Sequence, residues 1–245
     1  MSRFFVEPGD VGERFITITD RDDIHHIKNV LRLTEGDIIE ISDGEKWEYK
    51  AAISSVSSEE VEAGIIDKQS FAHEPQTEVT LFQGVPKQGK MELIVQKCVE
   101  LGITKIVPVF MHRCVVKNDG HYWKKLVRYR KISDEAAKQC KRGILPEIAH
   151  EIDFKLLLSD IQAYDLILFP YENEENTTIK DCLRSLEEKP RKVAIIIGPE
   201  GGFADSEAEE LVSSGAERVT LGRTTLRTET AGIAALAMTM YELEL

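Results

Sequence analysis

Three short stretches of this 245-residue chain hold residue types that could do chemistry. The first is Gly198-Pro199-Glu200-Gly201-Gly202-Phe203, directly after the apolar run Val193–Ile197 and directly before a helix expected from Asp205. Three glycines let a backbone approach a ligand closely, and a helix N-terminus offers free amides. The spacing is not GxGxxG, so a dinucleotide site of that type is not supported. A ligand loop is the favoured reading over a plain β–α turn.

The second stretch is Leu221-Gly222-Arg223-Thr224-Thr225-Leu226-Arg227-Thr228-Glu229-Thr230-Ala231. Here a polar loop enters an apolar helix. Arg227 and Glu229 either pair structurally at its entrance or touch substrate. The third is Gly84-Val85-Pro86-Lys87-Gln88-Gly89-Lys90-Met91, which matches GxxxxGK. A phosphate-cradling loop needs Ser or Thr at the last position to hold magnesium. Met91 stands there, and Pro86 removes an amide donor. A nucleotide-hydrolysing loop is therefore disfavoured. What remains is a turn with exposed lysines, or a place where Lys87 and Lys90 meet RNA phosphate.

The charge pattern bears on that choice. Formal net charge is −12, which speaks against indiscriminate nucleic-acid binding. Residues 1–72 carry 8 basic and 16 acidic side chains, residues 73–150 carry 14 and 8, and residues 151–245 carry 9 and 19. The basic excess lies in the middle. Its source is a helix expected over Trp123–Arg142, where Lys124, Arg128, Lys131, Lys138 and Arg142 recur at three- or four-residue steps or sums of them. Such a row either tracks a phosphate backbone or is a solvated face.

These stretches need elements to position them. Residues 1 to about 70 predict a small β-rich unit, with strands over 14–18, 37–41, 47–56 and 61–66 and a hairpin at Asp43-Gly44. One amphipathic helix interrupts over 22–33, with Ile27, Val30 and Leu31 at helical spacing. The polar segment 68–78, with Pro75, is the expected linker. Strands then alternate with helices: strands over 79–83, 105–110, 164–169, 193–197 and 218–221, and helices over 90–101, 123–142, 178–187, 205–213 and 228–243. That alternation predicts an α/β domain with a parallel sheet covered on both faces, whose ligands bind at the carboxyl ends of the strands. Ala231–Tyr241 is apolar except for Gly232 and Thr239, so the last helix is expected to be buried all round.

No apolar run reaches the ~20 residues of a membrane helix, and the N-terminal residues do not read as a signal peptide. A cytoplasmic protein is expected, with no membrane partner. Cys98, Cys114, Cys140 and Cys182 form no CxxC pair, and the histidines show no ligand spacing. No metal site is expected.

The sequence resembles the RsmE family of bacterial small-subunit ribosomal RNA uridine methyltransferases, within the SPOUT superfamily, over nearly its whole length. The resemblance is carried by His26-Ile27 with Val30-Leu31-Arg32, Lys90-Met91-Glu92 with Gln96-Lys97 and Glu100-Leu101-Gly102, and Arg113-Cys114. Glu135-Ala136-Ala137 with Gln139-Cys140, Gly198–Gly202, and Leu221-Gly222 with Leu226–Ala231 complete it. Ala204 departs from the pattern, where a capping Ser or Thr is usual. Asp205 or Ser206 would cap instead, the latter with Glu209 at capping-box spacing.

The resemblance implies a PUA-like β-barrel RNA-binding domain over 1–72. It implies a SPOUT methyltransferase domain over 73–245, with a C-terminal deep trefoil knot. It further implies S-adenosyl-L-methionine as cofactor, a homodimer, and N3 of a uridine in 16S ribosomal RNA of the small ribosomal subunit as target. By that resemblance Leu168, Pro170, Gly198, Pro199, Glu200, Gly201, Gly202, Leu221, Gly222 and Leu226 would hold the cofactor. Arg227 would stabilise developing charge on the base, and Glu229 would orient or accept a proton. Arg3, Arg14, Lys28 and Arg32 join Lys87, Lys90 and the middle-helix cations as expected RNA contacts. A non-catalytic RNA-binding module, or a methyltransferase acting on another RNA, are the alternative functions.

Overall fold

The computed structural model describes residues 2–71, 74–87 and 89–244. The chain divides into two units, Met1–Glu74 with Ala137–Leu145, and Pro75–Ala136 with Pro146–Leu245. The boundary expected between residues 72 and 73 lies outside the described residues.

In the first unit β1 (Arg3–Phe5), β2 (Phe15–Ile18), β3 (Ile38–Ser42), β4 (Trp47–Val56) and β5 (Val61–Ser70) form one sheet in the order β1-β3-β4-β5-β2. Among the described residues, only the β1–β3 pairing of this sheet is parallel. Inward residues alternate along the strands, so Ile39, Ile41, Tyr49, Ala51, Ile53, Val61 and Ala63 share one core with Phe4, Ile16 and Ile18. The predicted hairpin joins β3 to β4. Asp43 Oδ1 accepts from the amides of Glu45, Lys46 and Trp47 at 3.0, 2.9 and 2.8 Å, and Gly44 takes φ +72°.

Two expectations need correction here. The helix expected over 22–33 is α1 (Arg21–His25) followed by a wider, π-type turn over His26–Val30. Ile27 is buried, Leu31 packs at the core margin, and Val30 is 61% exposed. The added residue per turn rotates Val30 out of the expected stripe. The linker expected from Lys68 begins as strand, since β5 runs to Ser70 opposite Trp47.

The segment 137–145 joins this unit through buried polar contacts that its sequence does not announce. Arg3 is buried, donating to Glu48 Oε1 at 2.9 Å and to the carbonyls of Lys141 and Arg142 at 2.7 and 3.0 Å. Ser42 Oγ donates to the Gly143 carbonyl at 2.5 Å. Arg142 is also buried, with Nη2 2.7 Å from Glu74 Oε2, while Glu74 Oε1 accepts from the Gly143 amide at 2.7 Å. The helix expected over Trp123–Arg142 ends at Gln139.

In the second unit all sheet pairings are parallel. β6 (Glu78–Gly84), β7 (Lys105–Phe110), β8 (Glu147–Ile148), β9 (Ile152–Asp153), β10 (Leu166–Pro170), β11 (Lys192–Ile197) and β12 (Glu217–Val219) run in the order β12-β10-β11-β6-β7-β8, with β9 also on β7. Strands β10 and β11 are nearly continuous buried apolar runs, and β6 is buried from Val79 to Gly84, as a sheet covered on both faces requires. The helices are α2 (Lys90–Glu100), most of α3 (Trp123–Gln139), α4 (Phe154–Asp160), α5 (Ile179–Arg184), α6 (Asp205–Ser213) and α7 (Thr228–Glu244). The short β8, β9 and α4 were not anticipated. They are too brief for periodicity to register. The chain begins its sheet at β6, moves outward to β7, then crosses to β10 on the other side of β11. The strand order reverses there, and the crevice at the carboxyl ends is where a ligand site belongs.

Candidate active site

All three chemistry-bearing stretches converge at that crevice. A cavity of about 820 Å³ opens there, lined by Lys90, the segment following Pro170, Ile197 to Glu200, Gly202, Phe203 and the loop Thr220–Thr228. No single stretch forms it. The parallel sheet brings the ends of β6, β10, β11 and β12 side by side.

The glycine loop leaves β11 at Gly198 and turns so that the Gly202 amide donates to the Pro199 carbonyl at 2.9 Å. Gly202 has φ +67°, a conformation that favours glycine. The neighbouring strand end is glycine for a different reason. A Cβ on Gly84 would lie 2.6 Å from Pro199 N, so β6 and the loop meet backbone to backbone. This explains the first glycine of the GxxxxGK match without any phosphate.

Thr228, the first residue of α7, fastens the loop. Its Oγ1 donates to the Gly198 carbonyl at 2.6 Å and accepts from Gln83 Nε2 at 2.9 Å. Gln83 is fully buried on β6 and also donates to the Gly84 carbonyl at 3.1 Å. A Cβ on Gly232, one turn into α7, would lie 3.0 Å from Gln83 Oε1, so the small residue admits the amide. Neither Gln83 nor Thr228 was singled out from sequence. A glutamine following the apolar Leu81 and Phe82 is the signal the sequence offers for Gln83.

Lys90, expected at RNA phosphate, instead turns to two carboxylates. Its Nζ lies 3.0 Å from Glu200 Oε1 and 3.0 Å from Glu229 Oε2. Glu200 Oε1 also accepts from the Lys87 amide at 2.9 Å. Hydrogen bonds to Glu229 and Glu200 raise the Lys90 pKa. Partial burial pushes both carboxyls up, but backbone amides and Lys90 outweigh it, with Arg227 adding to the effect at Glu229. Both therefore titrate below the ordinary carboxylate range. The triad is fully charged at neutral pH. Gln88, the remaining residue of the GxxxxGK match, lies outside the described residues.

The residues expected to line the site divide. Pro170, Gly198, Pro199, Glu200, Gly202, Leu221, Gly222, Leu226 and Arg227 all face the cavity. Leu168 does not, being fully buried inside β10. Gly201 also turns away, and its carbonyl accepts from Arg113 Nη1 at 3.2 Å. Glu229 does not line the cavity itself and is held beside it by Lys90. The aromatic rings of Phe169, Tyr171 and Phe203 pack against one another on the far wall, with centroids 5.7 to 6.4 Å apart.

The helix after the glycine loop is capped through Glu207. Its Oε2 accepts from the Ala204 amide at 2.9 Å and its Oε1 from His112 N at 2.8 Å. Ala204 is the N-cap and has no capping side chain, so neither Asp205 nor Ser206 takes that place. The third-position carboxylate does half of a capping box alone.

Among the expected RNA contacts, Arg14, Lys28, Arg32, Lys87, Lys124, Arg128 and Lys131 are exposed. Arg3 and Arg142 are not, since each is buried in the ionic contacts of the first unit. Lys138 is paired with Asp23. Cys98 is buried in α2, where desolvation pushes its thiol up to about 12 and leaves it unreactive. No described helix is long and apolar enough to cross a membrane.

Known proteins resemble both units. Residues 73–240 match the family described as an RNA methyltransferase domain, and residues 18–66 the RNA methyltransferase PUA domain. The chain is 34% identical over 252 residues to the ribosomal RNA small subunit methyltransferase E of Bacillus subtilis, covering 100% of this chain and 98% of that one. It is 32% identical to the protein of the same name from Mesomycoplasma hyopneumoniae, covering 95% and 96%. Among solved structures, the methyltransferase E of Neisseria gonorrhoeae, bound to S-adenosyl methionine, superposes with a TM-score of 0.85 at 27% identity, covering 98% and 97%.

Proposed function

This chain belongs to the ribosomal RNA small subunit methyltransferase E family, and from that premise we propose that it methylates N3 of a uridine in 16S ribosomal RNA, using S-adenosyl-L-methionine. The carrying observation is the 820 Å³ cavity walled by the glycine loop and the entrance to α7. Its volume lies within the range of cofactor sites, about 300–1,000 Å³.

The residues present fit this cofactor. Ile197, Leu221, Leu226 and Phe203 offer apolar walls to an adenine. The backbone of Gly198 and of the Leu221–Leu226 loop offers amides and carbonyls. Glu172, Glu174 and Glu175, which also line the cavity, put carboxylates where a cationic ligand gains from them. S-adenosylmethionine supplies, when bound, a methyl group already activated by its cationic sulfur.

The rest falls to the chain. Uracil N3 carries a proton in its neutral form and must pass it to solvent water to become a nucleophile. Arg227, exposed at the cavity, would hold the charge that develops on the uracil oxygens. Glu229, kept ionised, is better suited to fix Lys90 and attract Arg227 than to accept a proton. Because N3 lies on the pairing edge, the target base must be unpaired when it enters. Arg14, Lys28 and Arg32 on the first unit, and Lys87, Lys124, Arg128 and Lys131 on the second, are the RNA contacts of this reading.

The reading includes a homodimer and a knotted C-terminal segment. The face of α7 bearing Thr228, Gly232, Ala235, Leu236 and Thr239 is buried, while Met238 and Tyr241 stand 38% and 66% exposed. The expectation of a helix buried all round thus holds for one face only. A second copy seated on the other would complete it. A substrate in ribosomal RNA also implies a cytoplasmic site of action.

The test is methyl transfer from labelled S-adenosylmethionine to small ribosomal subunits purified without this modification, followed by mass spectrometry of the nucleosides. N3-methyluridine is the expected product. Transfer elsewhere would assign a different RNA target. Neither transfer nor cofactor binding would leave an RNA-binding module without catalysis.

A further inference from the structure

The exposed face of α3 carries a side chain that phosphate contact does not explain. Trp123 is 50% exposed, and Val127, one turn later on the same face, is 51% exposed. Lys131 follows at the next turn. The indole has a cation beside it, with Lys124 Nζ 5.7 Å from the ring centroid. Arg128 donates to Glu92 at 2.9 Å yet keeps 69% of its side chain in solvent.

A solvated helix face is normally polar, and an indole left half in water forgoes much of its burial energy. Here the indole sits in a strongly basic setting. Between residues 117 and 131 the basic side chains are Lys117, Lys124, Lys125, Arg128, Arg130 and Lys131, and the single acidic one is Asp119. The chain as a whole carries −12. An aromatic platform among cations is the chemistry of single-stranded nucleic acid, where bases stack on the ring while the phosphates meet the charges. A protein partner for so basic a face would need a matching acidic surface.

We propose that Trp123 is a stacking platform for an unpaired base of the RNA substrate, with Lys124, Arg128 and Lys131 holding the adjoining phosphates. The inference rests on the RNA methyltransferase reading and deepens it. It gives the enzyme a second hold on single-stranded RNA, apart from the cavity that takes the target base. Stacking has no counterion to release, so the Trp123 contribution is independent of salt. That of the cations is not.

The experiment measures binding of the full-length protein to a fluorescein-labelled single-stranded oligouridylate across a salt series, by anisotropy. W123A should weaken binding roughly tenfold at every salt concentration, leaving the slope of log affinity against log salt unchanged. W123F should keep most of the affinity, because a ring remains. K124Q/R128Q should instead flatten the slope. Binding of W123A within twofold of wild type would overturn the proposal. So would a shift of W123A from dimer to monomer in sedimentation, which would make the indole a subunit contact. Cofactor affinity measured in parallel separates the two layers. If wild type binds neither cofactor nor RNA, the proposed function fails; if it binds both and W123A is unaffected, only the platform fails.

Discussion

Lys90 Nζ lies 3.0 Å from Glu229 Oε2, although 139 residues separate them in the chain, and the same nitrogen lies 3.0 Å from Glu200 Oε1. One ammonium therefore ties the start of α2 to the glycine loop and to the first turn of α7. It also separates two carboxylates that would otherwise repel each other.

Lys90→Met should expose that repulsion. Without the ammonium, the first proton is shared between Glu200 and Glu229, and one carboxyl pKa rises. Arg227 and the Lys87 amide remain nearby to limit the rise. The acid limb of kcat/KM should then move to higher pH, and Lys90→Arg should restore it. A pH–rate profile with the same acid limb as wild type would remove the electrostatic role.

Arg227→Ala addresses catalysis directly. Turnover should fall about 100- to 1,000-fold, the usual range for removing one donor from a developing anion. Cofactor affinity, measured by calorimetry, should stay within a few fold. Unchanged turnover would leave Arg227 a structural residue.

Thr228→Val keeps the shape of the side chain but removes both hydrogen bonds of its hydroxyl. The buried Gln83 amide and the Gly198 carbonyl each lose a partner, at a cost of about 1–3 kcal/mol. The glycine loop should loosen, with a weaker cofactor Kd and a lower urea midpoint. Thr228→Ser should recover both.

Glu74→Ala should destabilise the first unit without touching the site. It removes a carboxylate that the buried Arg142 guanidinium and two amides share, and loss of one partner from a buried ion pair costs about 3–5 kcal/mol. Urea unfolding checks the magnitude. Arg142 is a fold residue, so the salt slope of RNA binding should not change in Arg142→Met.

Glu244 supplies a pH-dependent clamp at the end of α7. Partial burial pushes its carboxyl up, but Lys189 at 2.9 Å and the amides of Gln76 and Thr77 at 3.1 and 3.0 Å bring it down to about 2. A lowered carboxyl stabilises the fold above its ordinary value of 4.5, and that stabilisation is lost as pH falls toward 2. Glu244→Gln should lower Tm at neutral pH, with the gap from wild type closing across that window. A gap that stays constant with pH would show that the charge is not responsible.

The sequence by itself determined the class of fold and where its chemistry would lie. Long β-branched runs such as Val193–Ile197 and long helices such as Asp205–Ser213 are local patterns, because burial on a sheet or helix face recurs with a fixed period. The glycine loop and the polar entrance to α7 were legible for the same reason, being turn chemistry between such runs. Tertiary structure decided which charges face each other. Nothing in the spacing of Arg3 and Arg142 distinguishes them from Arg14 or Lys124, yet two are buried among carboxylates and carbonyls and two are in solvent. Lys90 reads as a phosphate contact until the sheet sets β6 beside β11, with β10 and then β12 beyond it, which places Glu200 and Glu229 around it. Strand order joins residues more than a hundred positions apart, and a period of two or 3.6 residues carries no record of that pairing.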